Sequence, residues 1–189
     1  MTGYFGREEE VDLLYPLNEF YETGLPLPTV ERIEGKQVPE PYRSLLVHRY
    51  DMTPTLERFH RQPIHLQILQ RHHQGDVFSR QVLLLNHGEK PVEFGAIKIY
   101  LDQFPPRARE LILECRRPLG SILSTEHILH TSHPRAYVRV TSDATIGAAL
   151  RIGESIPLYG RRNALVSSSW KTLAEILEIL PPSGDPDVR

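Results

Sequence analysis

The sequence has little cysteine, no long apolar run and no excess of positive charge. Cys115 is the single cysteine in 189 residues, so no intrachain disulfide forms and a four-cysteine zinc site is excluded. Cys115 itself reads as a small buried apolar residue at the end of a helix. No stretch reaches the roughly 18 consecutive apolar residues of a membrane span, so no membrane partner is expected. Basic residues number 22 against 24 acidic ones, a net charge of −2. A general nucleic-acid binder needs a basic excess, so no nucleic-acid partner is expected either. The stretch from Met1 to Glu10 has neither the basic start nor the apolar core of a secretory signal, and the expected compartment is the cytoplasm. A phosphate-cradling glycine loop, a G-x-S-x-G elbow and an H-E-x-x-H pair are all missing.

What is present is an ordinary globular composition, 40% hydrophobic and 24% charged. A chain of this length suits one domain burying roughly 70% of its unfolded surface. Charge is unevenly spread: residues 1–40 hold nine acids against three bases, and the other 149 hold 15 against 19. Residues 1–40 read as an acidic, turn-rich peripheral segment packed on a core domain over 41–182, with 183–189 as a loose tail. Apolar residues between Glu8 and Tyr21 lie close to a helical stripe that Pro16 interrupts.

The spacing predicts helices over Tyr42–Tyr50, Arg107–Cys115 and Pro118–Ser124, and one that starts within Asp51-Met52-Thr53-Pro54, with the aspartate or the threonine as cap, and continues over Thr55–Arg61. It predicts strands over Ile64–Gln70, Val77–Leu85, Val92–Leu101, Ala136–Thr141, Leu158–Val166 and Thr172–Leu180. Hairpin-linked strands interrupted by helix pairs give an α+β fold with a mostly antiparallel sheet.

His127, His130 and His133 are spaced three apart and His72 adjoins His73, but Ser132 and Pro134 suggest a loop there. The spacing lacks a zinc-site pattern, so no metal is expected. The Ser167-Ser168-Ser169 run reads as a polar turn. Two charges stand out because they fall on apolar strand faces. Arg80 shares its face with Phe78, Val82 and Leu84, and Glu178 shares its face with Ile176 and Leu180. Burying either charge is costly unless it is paired or holds a ligand. The pattern leaves open a buried Arg80–Glu178 ion pair, solvent-facing edge positions, or a small apolar pocket with one anion-binding arginine and one carboxylate.

Five segments in order resemble the chorismate lyase family, whose enzymes split chorismate into 4-hydroxybenzoate and pyruvate. They are Asp51-Met52-Thr53, Ser79-Arg80-Gln81-Val82-Leu83-Leu84 before Gly88-Glu89, Pro118-Leu119-Gly120, Leu158-Tyr159-Gly160-Arg161-Arg162, and Glu178-Ile179-Leu180-Pro181-Pro182. The match runs from about residue 42 to 182. The resemblance implies an antiparallel sheet with helical flaps enclosing a small ligand. It places the carboxylate-binding arginine on Arg80, the glutamate at the ring hydroxyl end on Glu178, and the lining of the ligand pocket on Met52, Leu119 and Gly120. Glu175 is a second glutamate available for the role given to Glu178. One departure is Gly95-Ala96 where the family often has Gly-Arg. Lys98, on the strand face of Ala96, is the residue available to replace that arginine as a substrate-binding charge.

The resemblance implies cofactor-free elimination of pyruvate from chorismate, giving a hydroxybenzoate, with Arg80 and Glu178 as catalytic residues. The same fold also serves as the effector-binding domain of some transcription regulators. A non-catalytic binder or sensor of a small aromatic carboxylic acid is therefore the alternative. Residues 1–40 are too short and too acidic to be the winged helix such regulators carry.

Overall fold

The computed structural model describes residues 11–183. Its strands are β1 (Val30–Ile33), β2 (His65–Gln74), β3 (Val77–Leu85), β4 (Pro91–Tyr100), β5 (His130–Thr141), β6 (Pro157–Ser167) and β7 (Thr172–Leu180). Its α-helices are α1 (Tyr42–Leu46), α2 (Met52–His60), α3 (Pro106–Leu113), α4 (Leu119–Thr125) and α5 (Ala144–Leu150). The seven strands form one antiparallel sheet in the order β1-β5-β6-β7-β4-β3-β2. Local chemistry closes the hairpins. Gly75 adopts φ 57°, left-handed backbone that glycine enters without cost, and turns β2 into β3. Between β3 and β4, the Asn86 side-chain oxygen accepts from the amides of Gly88 at 3.1 Å and Lys90 at 3.0 Å.

Alternation along the strands separates two faces. On the first face, Arg80, Val82 and Leu84 of β3 stand opposite Ile97, Gly95 and Glu93 of β4. Gly95 and Ile97 stand opposite Glu178 and Ile176 of β7, which in turn face Arg161 and Asn163 of β6. Two helical flaps cover this face. Helices α1 and α2 set Leu46, Met52 and Leu56 on Leu84, Val92 and Leu180. Helices α3 and α4 set Ala108, Ile112, Leu119 and Ile122 on Phe78, Ile97 and Ile99. Each such apolar side chain contributes about 1.5–3 kcal/mol on burial, so the flaps are held by packing. The second face is closed by Leu14, Leu17 and Phe20 and by Ile146 and Leu150 of α5.

Several elements differ from the reading of the sequence. The described part of the stripe before Tyr21 is a single 3-10 turn, Leu17–Phe20, directly after Pro16; residues 8–10 lie outside the described residues. Residues 11–40 do more than cap the sheet, because β1 extends it by pairing with β5. The first helix stops at Leu46 rather than Tyr50. The backbone carbonyls of Leu46, His48 and Tyr50 turn instead toward the Arg161 guanidinium, at 3.4, 3.1 and 3.0 Å. Residues 130–135 are strand and not loop: β5 pairs with β6 from His130 onward and accommodates Pro134 at a bulge. Helix α5 has no counterpart among the expected elements; the Asp143 carboxylate caps it by accepting from the Ile146 amide at 2.9 Å.

Candidate functional site

The seam between the two flaps is a cavity of about 70 Å³ over the centre of the sheet. A single water needs roughly 10–15 Å³ on this measure, so the cavity has room for a small molecule. Met52 from α2 and Leu119 and Gly120 from α4 form its roof, and Arg80, Glu93 and Glu178 are the charged residues of its floor. Val82, Ile97, Leu165 and Ile176 make the walls apolar. The structure thus gathers Met52, Arg80, Leu119, Gly120 and Glu178 around one space.

Arg80 is 1% exposed. Its Nε and Nη1 have no hydrogen-bond partner among the described residues, and Nη2 makes one long bond to the Arg117 carbonyl at 3.4 Å. No described acid pairs with it, and the one residue offsetting its burial is the Cys115 thiol nearby, which sits half-buried just past α3. Burial lowers its pKa from the ordinary arginine value. An apolar cavity floored by a lone guanidinium is an anion site in search of a carboxylate or similar group.

Glu178 does not pair with Arg80. It accepts from Nε of Arg161, a fully buried pair one strand away. Arg161 spends its remaining donors on the carbonyls of the α1–α2 linker and so ties the flap to the sheet. Gly160 beside it has no room for a side chain, because a Cβ there would run into the Glu178 carbonyl. The Leu158–Arg162 segment therefore owes its character to packing and to this tether. Burial and the nearby Arg161 charge keep the His48 imidazole below its usual range.

Two sequence expectations are corrected. Lys98 is not in the cavity. It lies on the other face of β4, opposite Ser79, and its ammonium binds Glu19 at 2.6 Å. Alternate β4 residues point away from Arg80, so Lys98 cannot supply a second cation there. Glu175 likewise lies on that other face and binds Arg162 at 2.7 Å. The residue the sequence reading missed is Glu93, which is 5% exposed, lines the cavity and leaves Oε2 without a partner among the described residues. Burial, reinforced by the neighbouring Glu178 charge, holds its carboxyl well above the usual carboxylate range. Its signal was a glutamate inside an apolar strand, as for Arg80.

At the mouth, Asp51 precedes α2 but does not cap it with its side chain. Its carboxylate instead meets His130 Nε2 at 2.9 Å, while Nδ1 of the same ring meets the Ile128 carbonyl at 2.9 Å. Both ring nitrogens face acceptors, and the Asp51 hydrogen bond raises the imidazole pKa. The three-spaced histidines thus diverge, with His130 latching the flap and His133 bonded to Thr131 at 2.8 Å.

No protein-family model matches the sequence. No curated protein matches it significantly. Solved structures do. The effector domain of PhnF from Mycobacterium smegmatis matches at a TM-score of 0.56 and 11% identity, over 70% of this chain and 88% of that domain. This chain shares the fold of that effector domain. The longer PhnF chain gives 0.56 and 10%, over 72% of this chain and 65% of that one. A GntR-family transcriptional regulator from Bacillus cereus gives 0.48 and 12%, over 65% and 94%, a TM-score that adds nothing to the assignment. At such identities the likeness is one of fold. It agrees with the α+β, chorismate lyase-like architecture that the sequence led us to expect. No helix of the described residues is long and apolar enough to cross a membrane.

Proposed function

We propose that this protein binds a small aromatic carboxylic acid in the cavity between the flaps, as a sensor module. The observation that carries this reading is Arg80: a buried guanidinium with two nitrogens unpartnered and no acid beside it among the described residues. A cation in that setting is uncompensated until an anion enters, and a carboxylate answers two N–H groups at once. The apolar walls suit an aromatic ring. The likeness to an effector domain supports the same reading.

Calorimetric titration with 4-hydroxybenzoate tests it. Arg80→Ala is expected to weaken binding by about 2–5 kcal/mol, the scale of removing one partner of a desolvated ionic contact. Arg80→Lys keeps the charge without the fork and falls between. An unchanged dissociation constant in a folded Arg80→Ala protein overturns the assignment.

The second reading is cofactor-free elimination of pyruvate from chorismate. Glu178 favours it, as a carboxylate held in the same cavity as Arg80, able to orient the ether end of the substrate or relay a proton there. Chorismate, however, carries two carboxylates, and Arg80 is the one cation lining the cavity among the described residues. Pyruvate release from chorismate decides between the readings. Turnover that Glu178→Gln abolishes supports the lyase, whereas binding of 4-hydroxybenzoate without turnover supports the sensor.

A further inference from the structure

We propose that Glu93 donates a hydrogen bond to the far end of the ligand and so restricts the site to monocarboxylates bearing a hydroxyl there. The proposal rests on the reading of the cavity as a carboxylate site and specifies what else that site demands.

The charges of the cavity leave little choice. Asp51 is matched by His130 and Glu178 by Arg161. Arg80 and Glu93 have no ionic partner among the described residues. Glu93 stands opposite Leu84 on β3, four residues beyond Arg80. At roughly 3.3 Å per residue, that is about 13 Å along the sheet, so the two groups mark opposite ends of the space. Glu93 reaches over Gly95, where a Cβ would lie 3.3 Å from its Oε1; Glu178 stands opposite that glycine on β7, lines the same cavity, and its charge acts on Glu93. Two carboxyls side by side in an apolar pocket do not both ionise, and the one without a cation keeps the proton. Arg161 binds Glu178, whereas no described cation binds Glu93, and burial and the Glu178 charge outweigh the pull of Arg161 on it. A protonated Glu93 is a donor beside an acceptor, the pair a hydroxyl satisfies by accepting from one and donating to the other. A second carboxylate at that end would face Glu178 with no cation to meet it. The far end of the cavity therefore selects a neutral hydroxyl.

Three probes of one shape test this: 4-hydroxybenzoate, benzoate and terephthalate, titrated into wild type, Glu93→Gln and Glu93→Leu. Wild type is expected to bind 4-hydroxybenzoate at least about tenfold more tightly than the other two, the scale of one charge-assisted hydrogen bond. Glu93→Gln retains an N–H donor and keeps that preference, which also shows that the pocket still folds. Glu93→Leu narrows the preference by about 2–12-fold, the scale of one neutral hydrogen bond, while the part owed to the acceptor Glu178 remains. Terephthalate binding as tightly as 4-hydroxybenzoate overturns the proposal, as does a Glu93→Gln protein as impaired as Glu93→Leu. Failure of all three probes to bind wild type overturns the carboxylate site itself, and this proposal with it. Benzoate binding with no preference for the hydroxyl overturns only the role of Glu93.

Discussion

Replacing Arg80 by methionine should make the empty protein more stable. Arg80 is 1% exposed, and its one hydrogen bond, to the Arg117 carbonyl, is 3.4 Å long. Taking a cation out of water costs several kcal/mol even after relaxation. Buried ion pairs, which recover part of that cost by mutual attraction, still gain about 1–4 kcal/mol when replaced by apolar residues of similar volume. Among the described residues Arg80 has no acid and only the Cys115 thiol to offset its burial, so the gain should lie in the upper part of that range, about 2–4 kcal/mol. Methionine keeps the apolar stem and its contacts. For a chain of this size 1 kcal/mol moves Tm by about 2–4 °C, giving a rise of about 4–16 °C. Thermal and denaturant unfolding of ligand-free protein measure it, with an unchanged denaturant slope as the check on the unfolded state. Adding 4-hydroxybenzoate should then stabilise wild type, by about 2.7 kcal/mol at 100 times its dissociation constant, and Arg80→Met by less than about 1 kcal/mol at the same concentration. A residue kept for binding at the expense of stability behaves this way. If Arg80→Met instead lowers ligand-free stability by more than about 1 kcal/mol, Arg80 is a structural residue and the anion site is wrongly placed.

Two further outcomes follow from the tethers around the cavity. Arg161→Met leaves Glu178 uncompensated and frees three linker carbonyls, so it should destabilise by about 3–5 kcal/mol in chemical unfolding, while Arg161→Met combined with Glu178→Gln recovers the part due to the uncompensated carboxylate and not the part due to the carbonyls; additive losses refute the pairing. His130 has a pKa raised by its Asp51 hydrogen bond, so the stability it contributes is complete below its ordinary value of 6.5 and is lost as pH rises through the raised folded value. The Tm difference between wild type and His130→Gln should therefore be larger at pH 6 than at pH 8.5, and a difference that grows with pH contradicts the latch.

The strands legible from the sequence are those with both faces covered. β3 and β7 run over Val77–Leu85 and Thr172–Leu180, the ranges read from their spacing of apolar residues around single charges. The first half of β5 was hidden because β1 pairs with β5 only along Tyr137–Val140. Among the described residues, residues 130–135 thus form an edge, where histidine, serine and proline are tolerated and pairing with β6 makes the strand. Helix α5 had a legible start in Asp143 but only seven residues, too few for helical periodicity to register. The end of α1 was not legible at all, because it is set by Arg161, more than 100 residues away in sequence.

The site was read correctly within each strand and incorrectly between strands, and the reason is register. Period-two counting placed Arg80 with Val82 and Leu84, and placed Lys98 with Ala96, both of which hold. What a single strand cannot reveal is which β4 residues share the face of Arg80. The pairing Arg80 with Ile97 puts Glu93, Gly95 and Ile97 on that face and sends Ala96 and Lys98 to the other. A shift of one residue would have reversed the assignment, exchanging a buried acid for a lysine in the cavity. The same register brings Gly95 opposite Glu178 and carries the carboxyl cluster to one end of the space. Whether this cavity is suited to one anion or two is thus decided by a single hairpin alignment, which Asn86 helps fix by bonding the turn amides between β3 and β4. A cavity with Arg80 at one end and an acid pair at the other asks for a ligand with one charge and one hydroxyl, and that demand belongs to the paired sheet rather than to any one of its strands.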